Sequence, residues 1–227
     1  MRVRTLTDAA RFVDRAGIAY VFPDNKVPLP TLWGAVQGNP MRPMDPDEWD
    51  WTGPVARTWD LKDALGAKRR AWFGRFVRGK GTLISLDVLP ALFRLVGTAD
   101  AGDVSAEGRG VVERLRSVGP MSTLHLRMSL RLSGPKGGAR FGKIMLELYR
   151  SLMIANVGVD DTETRWPSAV IGLFEKCYPA ALRAAAKLSE EDAFRKLVSK
   201  APPLKPRALE SLFGLPRLSA FATMPRG

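Results

Sequence analysis

The sequence predicts a mainly α protein with a small β-hairpin, an α+β fold that joins an N-terminal helical module to a winged helix-turn-helix module. Three observations predict it. Apolar residues recur at helical spacing along most of the 227 residues. Glycine and proline interrupt that pattern at short intervals. In the second half, three helical segments precede two extended ones. The expected organisation is a helical module with a Trp-rich loop over residues 1–100, a winged helix over 101–175, and C-terminal helices with a Pro-rich arm over 176–227.

The N-terminal elements follow from local chemistry. Residues 6–17 carry Ala9, Phe12 and Val13 on one stripe, with Thr7 as the expected cap and Gly17 as the stop. Residues 18–22, Ile-Ala-Tyr-Val-Phe, read as a short buried strand ended by Pro23, and Thr31 should cap a short helix through Val36. Four prolines and two glycines make residues 38–54 an irregular loop. Trp33, Trp49, Trp51 and Trp59 lie in or beside it and are expected to pin it to the core, with base stacking as the alternative. Residues 60–78 read as one helix capped by Asp60, and Leu89–Val96 as another with Pro90 in its first turn. The stretch 97–104 is a natural joint.

In the second module, Ser105–Val118 is helical, with Val111, Val112, Leu115 and Val118 on one face. Gly119-Pro120 breaks the chain, and Ser122 caps a helix over Thr123–Leu130. Residues 133–138 read as a turn before a third helix, Ala139–Leu152. Two extended pieces, 153–159 and 165–173, complete a hairpin. Helices are then expected at Pro179–Leu188 and after Ser189, where Ser189 and Asp192 form a capping pair. The last 27 residues hold five prolines and should wrap the surface.

Composition limits the function. Hydrophobic residues at 45% exclude a disordered chain. A single cysteine, Cys177, excludes a disulfide framework, and with the single histidine, His125, it excludes a Cys/His zinc cluster, so neither metal nor cofactor is expected. No apolar run reaches the roughly 18 residues of a membrane span, and the first residues lack a signal-peptide core, so a cytoplasmic protein is expected.

The net charge of +12 points to a polyanion. Residues 62–80 hold seven basic groups against one acidic, and 109–150 hold nine against two, while Asp45, Asp47, Glu48 and Asp50 gather elsewhere. Such separation suits a phosphate-docking face. The expected DNA contacts are Arg127, Arg131, Lys136, Gly137, Arg140 and Lys143 around the third helix, joined by Lys68, Arg69, Arg70 and Arg75. The hairpin tip, with Asp160, Asp161 and Glu163 against Arg165, should repel phosphates.

The segment from Tyr149 through Val159 and on to Pro179 resembles the winged-helix DNA glycosylases of the AlkZ/YcaQ crosslink-repair family. Their Tyr-Asp-Leu-x-Glu-Arg-like stretch corresponds to Ile171-Gly172-Leu173-Phe174-Glu175-Lys176 here. The early stretch from Ala16 to Val36 is similar as well. The resemblance covers about 5–35 and 105–180, and is greatest to the shorter AlkZ-related proteins. It implies a DNA partner, double-stranded or damaged. It also implies a Gln-x-Gln or Gln-x-Asp catalytic motif, but the matching positions here are Tyr20-Val21-Phe22, and Gln37 is the one glutamine in the chain. A substitute site would draw on Asp24 as carboxylate, Asn25 to hold water, Lys26 as a Schiff-base amine, and Tyr20. The bland reading of Asp24-Asn25 is a turn after Pro23. The expected function is DNA binding by a repair-glycosylase relative without the standard motif. The alternatives are a glycosylase for alkylated or crosslinked bases with a non-standard site, and a protein–protein interaction module.

Overall fold

The computed structural model describes residues 2–98, 100–132, 134–162, 167–200 and 212–213. Ten α-helices and six strands are found among them. Helix α1 (Leu6–Ala16) leads into strand β1 (Ile18–Tyr20). Thr5, not Thr7, caps α1, because Asp8 lies three residues on and closes the reciprocal capping pair. Helix α2 (Leu32–Gln37) starts at Thr31 as expected, and its cap accepts from the Gly34 N–H.

The helix expected over 60–78 is instead a helix, a turn and a strand. Helix α3 (Gly53–Ala67) begins early, with Pro54 in its first turn, and buries Val55, Thr58, Leu61, Lys62 and Leu65. Arg69, at a φ of 51°, turns the chain out of helical geometry. The aromatic Trp72-Phe73 pair then enters strand β2 (Trp72–Arg75), a conformation that suits such residues better than a helix does. A tight turn with Arg78 at φ 52° and Gly79 at 71° returns the chain as β3 (Gly81–Ile84), and helix α4 (Leu89–Val96) follows, with Pro90 in its first turn.

Strands β1, β3 and β2 form an antiparallel sheet in that order. Its side chains alternate between two cores. Ala19, Leu83 and Phe73, which are in register, pack against α1, α2 and α3. Ile18, Ile84 and Trp72, the next row, enter a larger core built from α4 and the second half of the chain. One continuous apolar core therefore crosses the 97–104 joint.

The second half runs α5 (Ala106–Val118), β4 (Met121–Ser122), α6 (Thr123–Ser129), α7 (Gly134–Arg150), β5 (Ile154–Asp160) and β6 (Ser168–Leu173). Three helices and then a hairpin is the predicted order. The two-residue β4 adds a third strand, giving the sheet order β4-β6-β5. Gly134–Gly138, expected in a turn, belongs to α7, because a proline in the first helical turn loses no hydrogen bond. Short helices α8 (Phe174–Cys177) and α9 (Pro179–Ala185) precede α10 (Glu190–Lys200), where Ser189 accepts from the Asp192 N–H. The Pro-rich arm lies outside the described residues except for Leu212 and Phe213, and Phe213 packs on Phe76. The acidic hairpin tip is described only through Thr162.

Contacts between the halves are specific. The Trp72 indole donates to the Ile154 carbonyl at 3.2 Å, and the Tyr178 hydroxyl donates to that of Ala71 at 3.0 Å. Among the described residues, no helix is long and apolar enough to cross a membrane.

Candidate functional site

Where the two halves meet, a cleft of about 640 Å³ opens between α3, the β2–β3 hairpin and α7. That volume is in the range of small-ligand sites. One wall is aromatic, with Phe22, Trp49, Trp59 and Phe73; Met145 and Tyr149 of α7 face it. Phe22 sits 4.8 Å from Trp49 and 5.9 Å from Trp59, and Trp51 extends the group, 5.5 Å from Trp59. Of the tryptophans expected to pin the loop, Trp33 is fully enclosed, whereas Trp49 and Trp51 remain half exposed. The Trp59 indole N–H is buried without a hydrogen-bond partner among the described residues. Arg75, Lys80 and Asn156 are among the polar lining, and Asn156 accepts a hydrogen bond from the Tyr149 hydroxyl. Burial pushes the Tyr149 phenol up, so it stays protonated and keeps that bond.

Within this cleft lies a pair that the sequence reading did not single out. Lys62, only 5% exposed, donates to Asp63 Oδ1 at 2.6 Å. Its Nζ lies 3.8 Å from the centre of the Trp59 ring and 5.1 Å from that of Phe73. Burial pushes the Lys62 ammonium below its usual range, against the pull of Asp63. Burial likewise pushes the Asp63 carboxyl up, against the pull of Lys62. Both members are displaced toward their neutral forms, which suits proton exchange across a short hydrogen bond. A signal was present in the sequence. Val55, Thr58, Lys62 and Leu65 fall at helical spacing on one buried face, so a lysine occupies an apolar position. Placing the helix over 60–78 hid that stripe.

The residues singled out from sequence take other positions. Tyr20 is fully buried, and its hydroxyl has no hydrogen-bond partner among the described residues. Asp24 accepts from the Lys26 N–H at 3.1 Å, as in a turn, and from Arg78 Nε at 3.2 Å. Asn25 and Lys26 are exposed. None of these four lines the cleft, and neither does Gln37, which accepts from Arg42.

The basic residues divide into groups. Lys136, Arg140 and Lys143 lie exposed at helical spacing on α7, on the face flanking its buried Phe141, Ile144 and Leu148. Arg140 pairs with Glu107 of α5. Arg127 is half-buried near Gly138, and Arg131 is exposed beyond α6 with a φ of 55°. Gly137 has a packing reason of its own: a Cβ there would stand 2.6 Å from the Leu132 carbonyl carbon. Lys68, Arg69 and Arg70 are exposed in the α3–β2 turn, where Arg69 acts on Cys177 and Arg70 on Asp14. Arg75, by contrast, lines the cleft. The stretch 62–80 therefore forms no single basic face.

Fold and site define a helix-rich α+β protein with an aromatic cleft beside a helix whose outer face is basic. The chain belongs to the AlkZ-related family, whose sequence profile matches residues 3–213. That match spans the intervening stretch 36–104, which the motif resemblance did not reach. No curated protein and no solved structure matches the chain.

Proposed function

We propose that the protein binds double-stranded DNA and takes a base turned out of the duplex into the aromatic cleft. One observation carries the proposal: Phe22, Trp49, Trp59 and Phe73 line a cleft that also holds Arg75 and Lys80 and is walled by α7. Aromatic faces stack any base, and cations at the same opening draw in the phosphates on either side. The order helix, strand, two helices and hairpin, with sheet order β4-β6-β5, supports reading 101–175 as a winged helix. On that reading α7 is the DNA-facing helix, presenting Lys136, Arg140 and Lys143. The family relationship to DNA glycosylases supports the same partner.

The test is fluorescence anisotropy with labelled duplexes at two salt concentrations. The affinity should fall steeply with salt, and a duplex with an unpaired base should bind more tightly than a fully paired one. Trp59→Ala should remove about 1–3 kcal/mol of that preference. No binding at moderate salt would sink the proposal in favour of a protein-docking module.

A second reading, catalysis of base release, is favoured by the Asp63 carboxylate in the cleft. Glycosidic cleavage needs a carboxylate near the sugar. Base release from alkylated duplex, compared between Asp63→Asn and Asp24→Asn, assigns that role. Loss in one variant alone names the carboxylate, and the absence of release from the unmodified protein rejects the reading.

A further inference from the structure

We infer that Lys62 is an amine nucleophile toward an aldehyde, with Asp63 as its proton partner, and that the substrate class is the ring-opened deoxyribose of an abasic site in DNA. The inference rests on the reading of the cleft as a DNA site. It goes beyond that reading by assigning a covalent step to a side chain with no such role so far.

The geometry carries the argument. A lysine normally extends its ammonium into water. Lys62 instead lies against Trp59 and Phe73, and it keeps one carboxylate at 2.6 Å. Consecutive residues on a helix point about 100° apart, so this pair meets only because both side chains turn into the same cleft. A cation held there is costly to desolvate, and a buried ion pair contributes little net stability. The arrangement does fix Nζ beside an acceptor at the wall of an open cleft, which an amine nucleophile requires. The same burial depresses the ammonium's proton affinity, so the free amine forms more readily at neutral pH. Asp60 on the same helix opposes that shift. The Schiff-base chemistry considered for Lys26 needs a buried lysine; Lys26 is exposed, and Lys62 is buried.

The step balances without a co-reactant. Lys62 passes a proton to Asp63, and its lone pair attacks the aldehyde carbon. The C–N bond forms as the carbonyl π pair moves to oxygen. Asp63 returns the proton to that oxygen, which then leaves as water with a second proton from nitrogen. Ammonium plus aldehyde gives protonated imine plus water, with Asp63 again a carboxylate and no oxidation or reduction.

Two arms test this. In the first, the full chain is incubated with duplex DNA carrying one abasic site and then reduced with borohydride, and the covalent adduct is mapped by peptide mass. The expected result is an adduct on Lys62 that falls at least tenfold in Lys62→Arg, which keeps the positive charge beside Asp63. Equal unfolding transitions for the two proteins exclude misfolding as the cause. DNA binding without an adduct, or an adduct on another lysine, would overturn the proposal. The second arm uses glyceraldehyde with cyanoborohydride at pH 7 and no DNA. Preferential modification of Lys62 supports the nucleophile even if DNA binding fails, in which case only the DNA reading falls. If Lys62 reacts no faster than the exposed lysines, the nucleophile itself is rejected.

Discussion

At Gly66 the backbone of α3 comes so close to β5 that a Cβ would stand 2.7 Å from the Asn156 carbonyl oxygen. That obstacle is backbone and cannot swing aside. Gly66→Ala should therefore lower the unfolding free energy by about 1–3 kcal/mol, read from the midpoint shift in a urea titration. The substitution should also widen the cleft, because Asn156 and the nearby Lys62–Asp63 pair share its lining. Lys62 makes the same point about single residues. Its chemistry comes from Trp59, Phe73 and Asp63 around it, and residue type alone did not distinguish it from the other lysines of the basic stretch. The turn at Asp24 is the converse case. Pro23-Asp24-Asn25 announced a turn in the sequence, and the Asp24 side chain accepts from the Lys26 N–H as such a turn requires.

Individual elements were legible where local chemistry decides them. Ser122 and Thr31 each cap the helix expected of them, and Pro90 sits in the first turn of α4. Legibility failed where helix gives way to strand inside one apolar run, as at 60–78. There Leu61, Leu65, Trp72, Phe73 and Phe76 are all buried, so burial alone could not separate α3 from β2. The cleft was beyond reach for a related reason. Its walls come from α3, β2, α7 and β5, and the sequence does not say that α3 lies against β5.

Helix α10 shows how an element is held at a distance in sequence. Ala193, Phe194 and Leu197 are buried, and Lys196 and Lys200 reach Asp87 at 2.6 and 3.2 Å. The hydrogen bond from Lys196, followed by that from Lys200, holds the Asp87 carboxyl below its usual range. Its folded pKa is lower than its unfolded one, so the stabilisation is present at neutral pH. It should be lost as the pH falls below about 4. Asp87→Asn should flatten the acid side of the stability profile in thermal melts between pH 3 and 7. An unchanged slope would mean that the exposed pair contributes nothing there.

At the scale of the whole molecule, the first sheet is buried on both faces, and its Trp72–Ile84–Ile18 row lies in the core of the second half. Unfolding should therefore be a single transition in which tryptophan fluorescence and circular dichroism coincide. A fragment of residues 1–100 would expose Trp72, Ile84 and Leu92, and a fragment of 101–227 would expose Tyr149 and Ile154. Neither is expected to give a cooperative transition alone, and a sharp melt for either would contradict the shared core. The charge excess that first suggested DNA is likewise distributed by the fold. Arg69 lies near Cys177 of α8 and Arg70 near Asp14 of α1, Arg75 and Lys80 reach the cleft, and Lys136, Arg140 and Lys143 remain exposed on α7.

The ring cluster at the cleft provides the protein with an optical reporter. Trp49, Trp51 and Trp59 are three of its six tryptophans, and neighbouring rings lie about 5 to 6 Å apart. Indoles this close exchange excitation, and a base stacked on one of them quenches it by electron transfer on contact. A ligand entering the cleft should quench the emission of the intact, unlabelled chain, and its occupancy can be followed by light alone.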